Sequence, residues 1–174
     1  ATSLYNEKKF DEAAAAYEQI LAKYPQSIYA LSNLGVVRFQ QQKYPEAEKP
    51  LREAIRVAPN DAFSHSVLGI VLVQQEKYDD AIQVLSRAVA LDPNDAKTRN
   101  YLGISSSRKG LQEAAEQECR KAIELDDSYG DAHFNLAVIY ATQTPPSKEL
   151  AKRHYNRALE LGVPKDAELE KLLN

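Results

Sequence analysis

Residues Ser64 to Pro93 read SHSVLGIVLVQQEKYDDAIQVLSRAVALDP. The segment holds a helical apolar pattern, a polar break at Gln74-Gln75-Glu76-Lys77, a second helical pattern and a proline stop. A step of 34 residues in either direction finds the same order. Leu68 has counterparts in Leu34, Leu102 and Leu136. Gly69 has them in Gly35 and Gly103, with Ala137 in the remaining place. Ala81 matches Ala13, Ala47 and Ala115, Ala88 matches Ala54 and Ala122, and Pro93 matches Pro25 and Pro59. A fixed period of this length marks stacked helical repeats, each burying its apolar face on the next.

Leu-Gly in a first helix, Tyr before a second, two Ala within it and Pro at its end resemble the tetratricopeptide repeat. The resemblance covers nearly the whole chain. The early Trp of that repeat is absent; Leu31, His65, Arg99 and His133 stand in its place. The resemblance implies an all-α, right-handed superhelical solenoid of antiparallel helix pairs with a C-terminal capping helix. It also implies a concave surface lined by the first helices, where partners bind.

The period divides the chain into a partial repeat at 1–25, full repeats at 26–59, 60–93 and 94–127, and a fifth at 128–164. The loop from Gln143 to Ser147 in the fifth repeat is two residues longer than its counterparts. Residues 165–174 read as a capping helix with Leu169, Leu172 and Leu173 on one side. Apolar spacing predicts helices at Phe10–Lys23, Ile28–Gln41, Tyr44–Val57, Asp61–Gln75, Tyr78–Leu91, Asp95–Lys109, Gln112–Leu125 and Tyr129–Thr142. Ser27 is placed to cap a helix, and Gly110 to end one in the left-handed region. Pro50 falls inside a predicted helix and predicts a local bend. The chain has no initiator Met and opens in mid-repeat, which reads as a piece of a longer protein. Its closing segment is similar to the tails of bacterial repeat proteins.

Composition narrows the function. A net charge of −3 with no basic run gives no electrostatic basis for nucleic acid or an anionic membrane. The single cysteine, Cys119, excludes an internal disulfide framework and a Cys-based zinc site. No apolar run is long enough to span a bilayer, so the expectation is a soluble protein, with the cytoplasm ahead of the periplasm. Phosphate loops, nucleophile–base arrangements and paired carboxylates are missing. His65 and His133 lie two repeats apart and His154 on another helix, which reads as packed or solvated histidines. The expectation is no catalysis, no cofactor and no metal.

Each first helix also carries a second stripe, away from its packing face. The stripes are Tyr29, Ser32, Val36 and Phe39; Phe63, Ser66, Ile70 and Val73; Lys97, Asn100, Ile104 and Ser107; and Asp131, Phe134, Val138 and Ala141. Val36, Ile70, Ile104 and Val138 are read more readily as packing against the adjacent first helix than as exposed. The candidate groove comprises Tyr29, Ser32, Asn33, Val36, Phe39, Phe63, Ser66, Ile70, Val73, Lys97, Asn100, Arg108, Phe134 and Asn135. Lys97, Asn100 and Arg108 are candidates for an acidic group. The resulting expectation is a non-catalytic protein–protein interaction scaffold that holds a partner peptide in the groove. Two other readings stand beside it: the recruiting arm of a larger enzyme, such as a glycosyltransferase or phosphatase, and a self-assembly module that oligomerises through the open N-terminal half repeat.

Overall fold

A computed structural model describes residues 1–174. The chain forms eleven α-helices and divides into two compact units, Ala1–Pro93 and Asn94–Asn174. The first unit contains α1 (Thr2–Asn6), α2 (Phe10–Lys23), α3 (Ile28–Gln40), α4 (Tyr44–Val57), α5 (Ala62–Gln74) and α6 (Tyr78–Leu91). The second contains α7 (Ala96–Arg108), α8 (Gln112–Leu125), α9 (Gly130–Thr142), α10 (Lys148–Glu160) and α11 (Ala167–Leu173). Helices pack in sequential pairs, as in an α-solenoid.

Close approach within a pair depends on the recurrent glycines. A Cβ on Gly69 would lie 2.3 Å from Leu85 Cδ2, and one on Gly35 would lie 2.4 Å from Leu51 Cγ. In the second unit, a Cβ on Gly103 would lie 2.5 Å from Cys119 Sγ. The fully buried Ala47, Ala54, Ala81, Ala115 and Ala122 leave room in the same way on the second helices. Around these contacts the first unit buries Ala13, Tyr17, Ala30 and Val37 in one cluster. The second unit buries Leu136, Ile139, Tyr140, Tyr155, Leu169 and Leu173 in another.

Helix ends follow from local chemistry. The Ser27 hydroxyl accepts from the Ala30 amide, Asp61 from Ser64 and Asp95 from Thr98, each side chain satisfying a first-turn N–H. In the first unit the turns within pairs pass through residues with positive φ: Lys8, Gln42 and Glu76, each at 59°. Gly110 does the same in the second unit at 76°. The following amide then reaches back to an otherwise orphaned carbonyl, Lys43 to Arg38 at 2.9 Å and Leu111 to Ser106 at 2.9 Å. Helix α9 ends differently, with an extended Gln143 leading into the longer loop. Helix α4 runs on through Pro50.

In α11, Leu169 and Leu173 are buried while Leu172 is exposed. The Asp166 amide donates to Tyr155 Oη at 2.7 Å, and the Asp166 carboxylate accepts from the Leu169 amide at 2.7 Å. These bonds seat α11 on the flank of the last helix pair as a cap.

Candidate functional site

In the first unit the candidate stripe is uncharged and graded in exposure. Tyr29 and Phe63, one period apart in the first turns of α3 and α5, are 57% and 50% exposed. Asn33, Val36 and Phe39 are half-buried. Ser32, Ser66, Ile70 and Val73 are buried. The Ser32 hydroxyl donates to the Ile28 carbonyl and meets the Ser64 hydroxyl at 2.9 Å, which ties α3 to α5. The buried Ile70 fits the packing alternative for its position. Tyr29 is held upright by a hydrogen bond between its hydroxyl and Thr2 Oγ1 and by an edge contact to the Tyr17 ring at 6.0 Å. Phe39 rests on Tyr44 at 5.7 Å. Asn33 Nδ2 donates to the carbonyl of Tyr29, so its amide braces the helix.

The second unit arranges its stripe differently. Lys97 and Arg108 are exposed. They stand in the first and last turns of α7, roughly 16 Å apart by helical rise, so a single carboxylate cannot reach both. Asn100 is buried and joined to its neighbours: Asn135 Nδ2 donates to Asn100 Oδ1 at 3.0 Å, and Asn100 Nδ2 donates to Tyr129 Oη at 3.3 Å. Burial pushes the Tyr129 hydroxyl up to about 12, so it stays protonated. Phe134 is half-buried against the Tyr155 ring at 6.4 Å.

One cluster was not foreseen from the sequence. His133 of α9 and His154 of α10 come together, with their Nδ1 atoms 3.0 Å apart and their rings stacked at 5.3 Å. The preceding repeat shows the geometric reason. There Arg99 pairs with Glu118 across α7 and α8 at 2.7 Å. The same cross-helix spacing, lengthened by the two residues added in the Gln143–Ser147 loop, leads from His133 to His154. That offset was readable in the sequence. Cys119 is fully buried, and burial pushes its thiol up to about 12, which leaves it inert as a nucleophile.

Comparison with known proteins accords with this geometry. The family description "Tetratricopeptide repeat" matches residues 1–62, and "TPR repeat" matches residues 69–110. No curated protein matches the chain in sequence. Among solved structures, YrrB, "a TPR protein with an unusual peptide-binding site", is similar at 26% identity and a TM-score of 0.77, over 97% of this chain and 84% of that one. A MamA crystal structure is similar at 22% identity and 0.81, over 91% and 92% of the two chains. MamA from Desulfovibrio magneticus RS-1 is similar at 20% and 0.83, over 95% and 93%. Proteins of this repeat are in general non-catalytic scaffolds for protein–protein interaction. No helix here is long and apolar enough to cross a membrane. With its helix pairs, glycine contacts and caps repeating at one period, and with family models matching residues 1–62 and 69–110, the chain is a tetratricopeptide-repeat protein.

Proposed function

We propose that the first-helix stripe of the first unit binds a segment of a partner protein through apolar anchors. The observation that carries this reading is the pair Tyr29 and Phe63. They are large rings at least half exposed on successive first helices, with no charged residue on the stripe around them. Aromatic side chains carry large contact area at low entropy cost and are enriched among residues that dominate binding energy. Tyr29 is already held by Thr2 and Tyr17, so little ordering remains on binding. Asn33, Val36 and Phe39 continue the surface between and beyond the rings. The buried Ser32, Ser66, Ile70 and Val73 act beneath it as its support. Similarity to YrrB, a protein described as having a peptide-binding site, favours a peptide over a folded domain as occupant. In the second unit, Lys97 and Arg108 act as separate contacts for acidic positions.

The test begins with peptides selected by phage display on the full chain. Selected sequences are expected to carry two or more large apolar residues. Phe63→Ala and Tyr29→Ala are each expected to weaken binding by about tenfold, corresponding to roughly 1–2 kcal/mol for a truncated anchor. Unchanged affinity in both variants would remove the reading.

A further inference from the structure

We propose that the occupant of the first-unit stripe is an amphipathic helix of the partner, lying across α3 and α5 with two apolar side chains, seven residues apart, set beside Tyr29 and Phe63. The inference rests on the reading above that this stripe is a binding surface, and adds the conformation and residue spacing of what it takes. In α3, Tyr29, Asn33, Val36 and Gln40 fall within about 60° of one another around the helix. In α5, Phe63, Val67, Ile70 and Gln74 do the same one period later. Tyr29 and Phe63 are exposed at one end, and Gln40 and Gln74 at the other. Between them Asn33, Val36 and Val67 are half-buried and Ile70 is buried. The two helices thus present a low, uncharged floor between an aromatic rim and an amide rim.

The dimensions suit a helix. Tyr29 and Gln40 are about 16 Å apart by helical rise, as are Phe63 and Gln74. A helix with its side chains is about 10–12 Å across and covers that floor, whereas a single extended chain, about 5 Å wide, leaves most of it wet. In the other direction α3 and α5 run side by side, joined by the Ser32 and Ser64 hydroxyls at 2.9 Å. Packed helices lie about 8–10 Å apart axis to axis, and Tyr29 and Phe63 are each the second residue of their helix, so the rings recur at about that distance. In a helical ligand, residues seven apart share a face and are separated by about 10.5 Å, while residues four apart are separated by only about 6 Å. In a strand, residues on one face recur at about 7 and 13 Å, on either side of the required spacing. Amphipathicity matches the two rims as well. The apolar side of the ligand helix faces the rings and the floor, and its polar side reaches Gln40 and Gln74.

A polyproline helix also fits in length, since its residues three apart lie about 9 Å apart on one side. Hydrogen bonding separates the two. An extended or polyproline backbone has no internal hydrogen bonds, so every carbonyl it lays on a surface needs a donor there. The polar groups of this stripe are already engaged. Asn33 Nδ2 donates to the Tyr29 carbonyl at 2.8 Å, the Ser32 hydroxyl donates to the Ile28 carbonyl at 2.7 Å, and the Tyr29 hydroxyl is bonded to Thr2 Oγ1. Ser66 is buried. A carbonyl pressed against this floor would lose water and gain no donor, at a cost that a helix avoids by satisfying its own backbone.

The experiment uses the full chain and a fluorescein-labelled, hydrocarbon-stapled helix of Ala, Gln and Lys that carries two Leu seven residues apart, with affinity read by fluorescence anisotropy. The stapled helix is expected to bind, and to weaken by about tenfold when one Leu is moved two residues, which turns it to the far side of the ligand. Its unstapled form is expected to lose about a hundredfold when Pro is placed midway between the Leu. No binding by the stapled helix overturns the inference, as does indifference to the position of the Leu. A polyproline peptide with two Leu three apart that binds as tightly overturns it as well. These changes lie in the peptide, so they leave the fold of the protein untouched. A second readout takes an isotope-labelled peptide selected by display on the chain. Its bound-state carbon shifts are expected to be helical, and extended shifts sink the inference. Tyr29→Ala and Phe63→Ala separate the two readings. Peptides that bind extended yet depend on both rings leave the binding surface standing and remove only the helix, whereas peptides indifferent to both rings remove the surface and the helix together.

Discussion

Helices α5 and α7 occupy the same place in successive repeats, one in each unit, and bury opposite chemistry. Both have thirteen residues, an Asp N-cap and a glycine in the middle, at Gly69 and Gly103. Helix α5 buries Val71 and Leu72 where α7 buries Ser105 and Ser106. Helix α5 opens with buried Ser64, His65 and Ser66, whereas α7 opens with Thr98, Arg99 and Asn100. The repeat fixes where helices start, stop and touch, and leaves the chemistry inside the contact free. That freedom has a condition: each polar group must find a partner. Ser105 donates to the Tyr101 carbonyl, Arg99 meets Glu118, and Asn100 joins Asn135 and Tyr129. The second unit is thus the more specified and the more vulnerable to a single deletion.

The largest expected effect tests that condition. Arg99→Met leaves Glu118 without its partner in a site where the two side chains keep only 11% and 16% exposure. The expected loss is roughly 2–3 kcal/mol, at the low end for buried pairs because some water contact remains. The double variant Arg99→Met/Glu118→Leu, apolar at both places, is expected to recover most of it in urea unfolding. A double variant no better than the single would show that the charge pair is not what distinguishes α7.

Gly69→Leu drives a side chain into Leu85 and is expected to cost about 1–3 kcal/mol, seen as a lower melting temperature. An unchanged melt would break the shared rule of close approach. Gln42→Gly works in the other direction. Gln42 holds a φ of 59°, which Gly110 adopts without Cβ strain in the second unit. Relief is expected to raise stability by about 0.5–1 kcal/mol in the first unit.

The last difference concerns order of loss under acid rather than size. Burial raises the Glu48 carboxyl, but hydrogen bonds from Lys77, Arg52 and Gln75 outweigh it and hold the group at about 2. His154 is held at about 4. Both values are depressed relative to the unfolded chain, so in each case the unfolded state binds the proton first and stability falls as pH falls. The His154 window runs from about 6.5 down to about 4, and the Glu48 window from about 4.5 down to about 2. Hydrogen exchange is expected to show the second unit losing protection first. Simultaneous loss, or the reverse order, would contradict the assignment.

Most helix ends were legible because caps and turns are local. Phe10–Lys23, Tyr44–Val57, Tyr78–Leu91 and Gln112–Leu125 have the limits that spacing predicts. Asp61 and Asp95 fall outside their helices because they cap them, which moves those starts to Ala62 and Ala96. Gly110 takes the left-handed conformation expected of it. The candidate surface was legible only in part. Large rings such as Tyr29 and Phe63 announce themselves by lying off the packing face. Ser32 and Asn100 do not, since a hydroxyl or amide is exposed or buried according to what stands across from it. The partners are Ser64 for Ser32, and Tyr129 and Asn135 for Asn100, none of which helical periodicity can supply. His133 and His154 escaped because period alone compares like helices, whereas their meeting joins unlike ones.

The extended Gln143 at the end of α9 carries a consequence for remodelling. The turns at Lys8, Gln42, Glu76 and Gly110 are each locked by one backbone conformation and a returning amide, so an added residue there would misalign everything downstream. The connection from Gln143 to Ser147 already holds two extra residues, and α10 still packs on α9 beyond it. A graft of foreign sequence, whether an epitope or a second binding loop, therefore belongs between Thr144 and Pro146, where the architecture has shown it can absorb length.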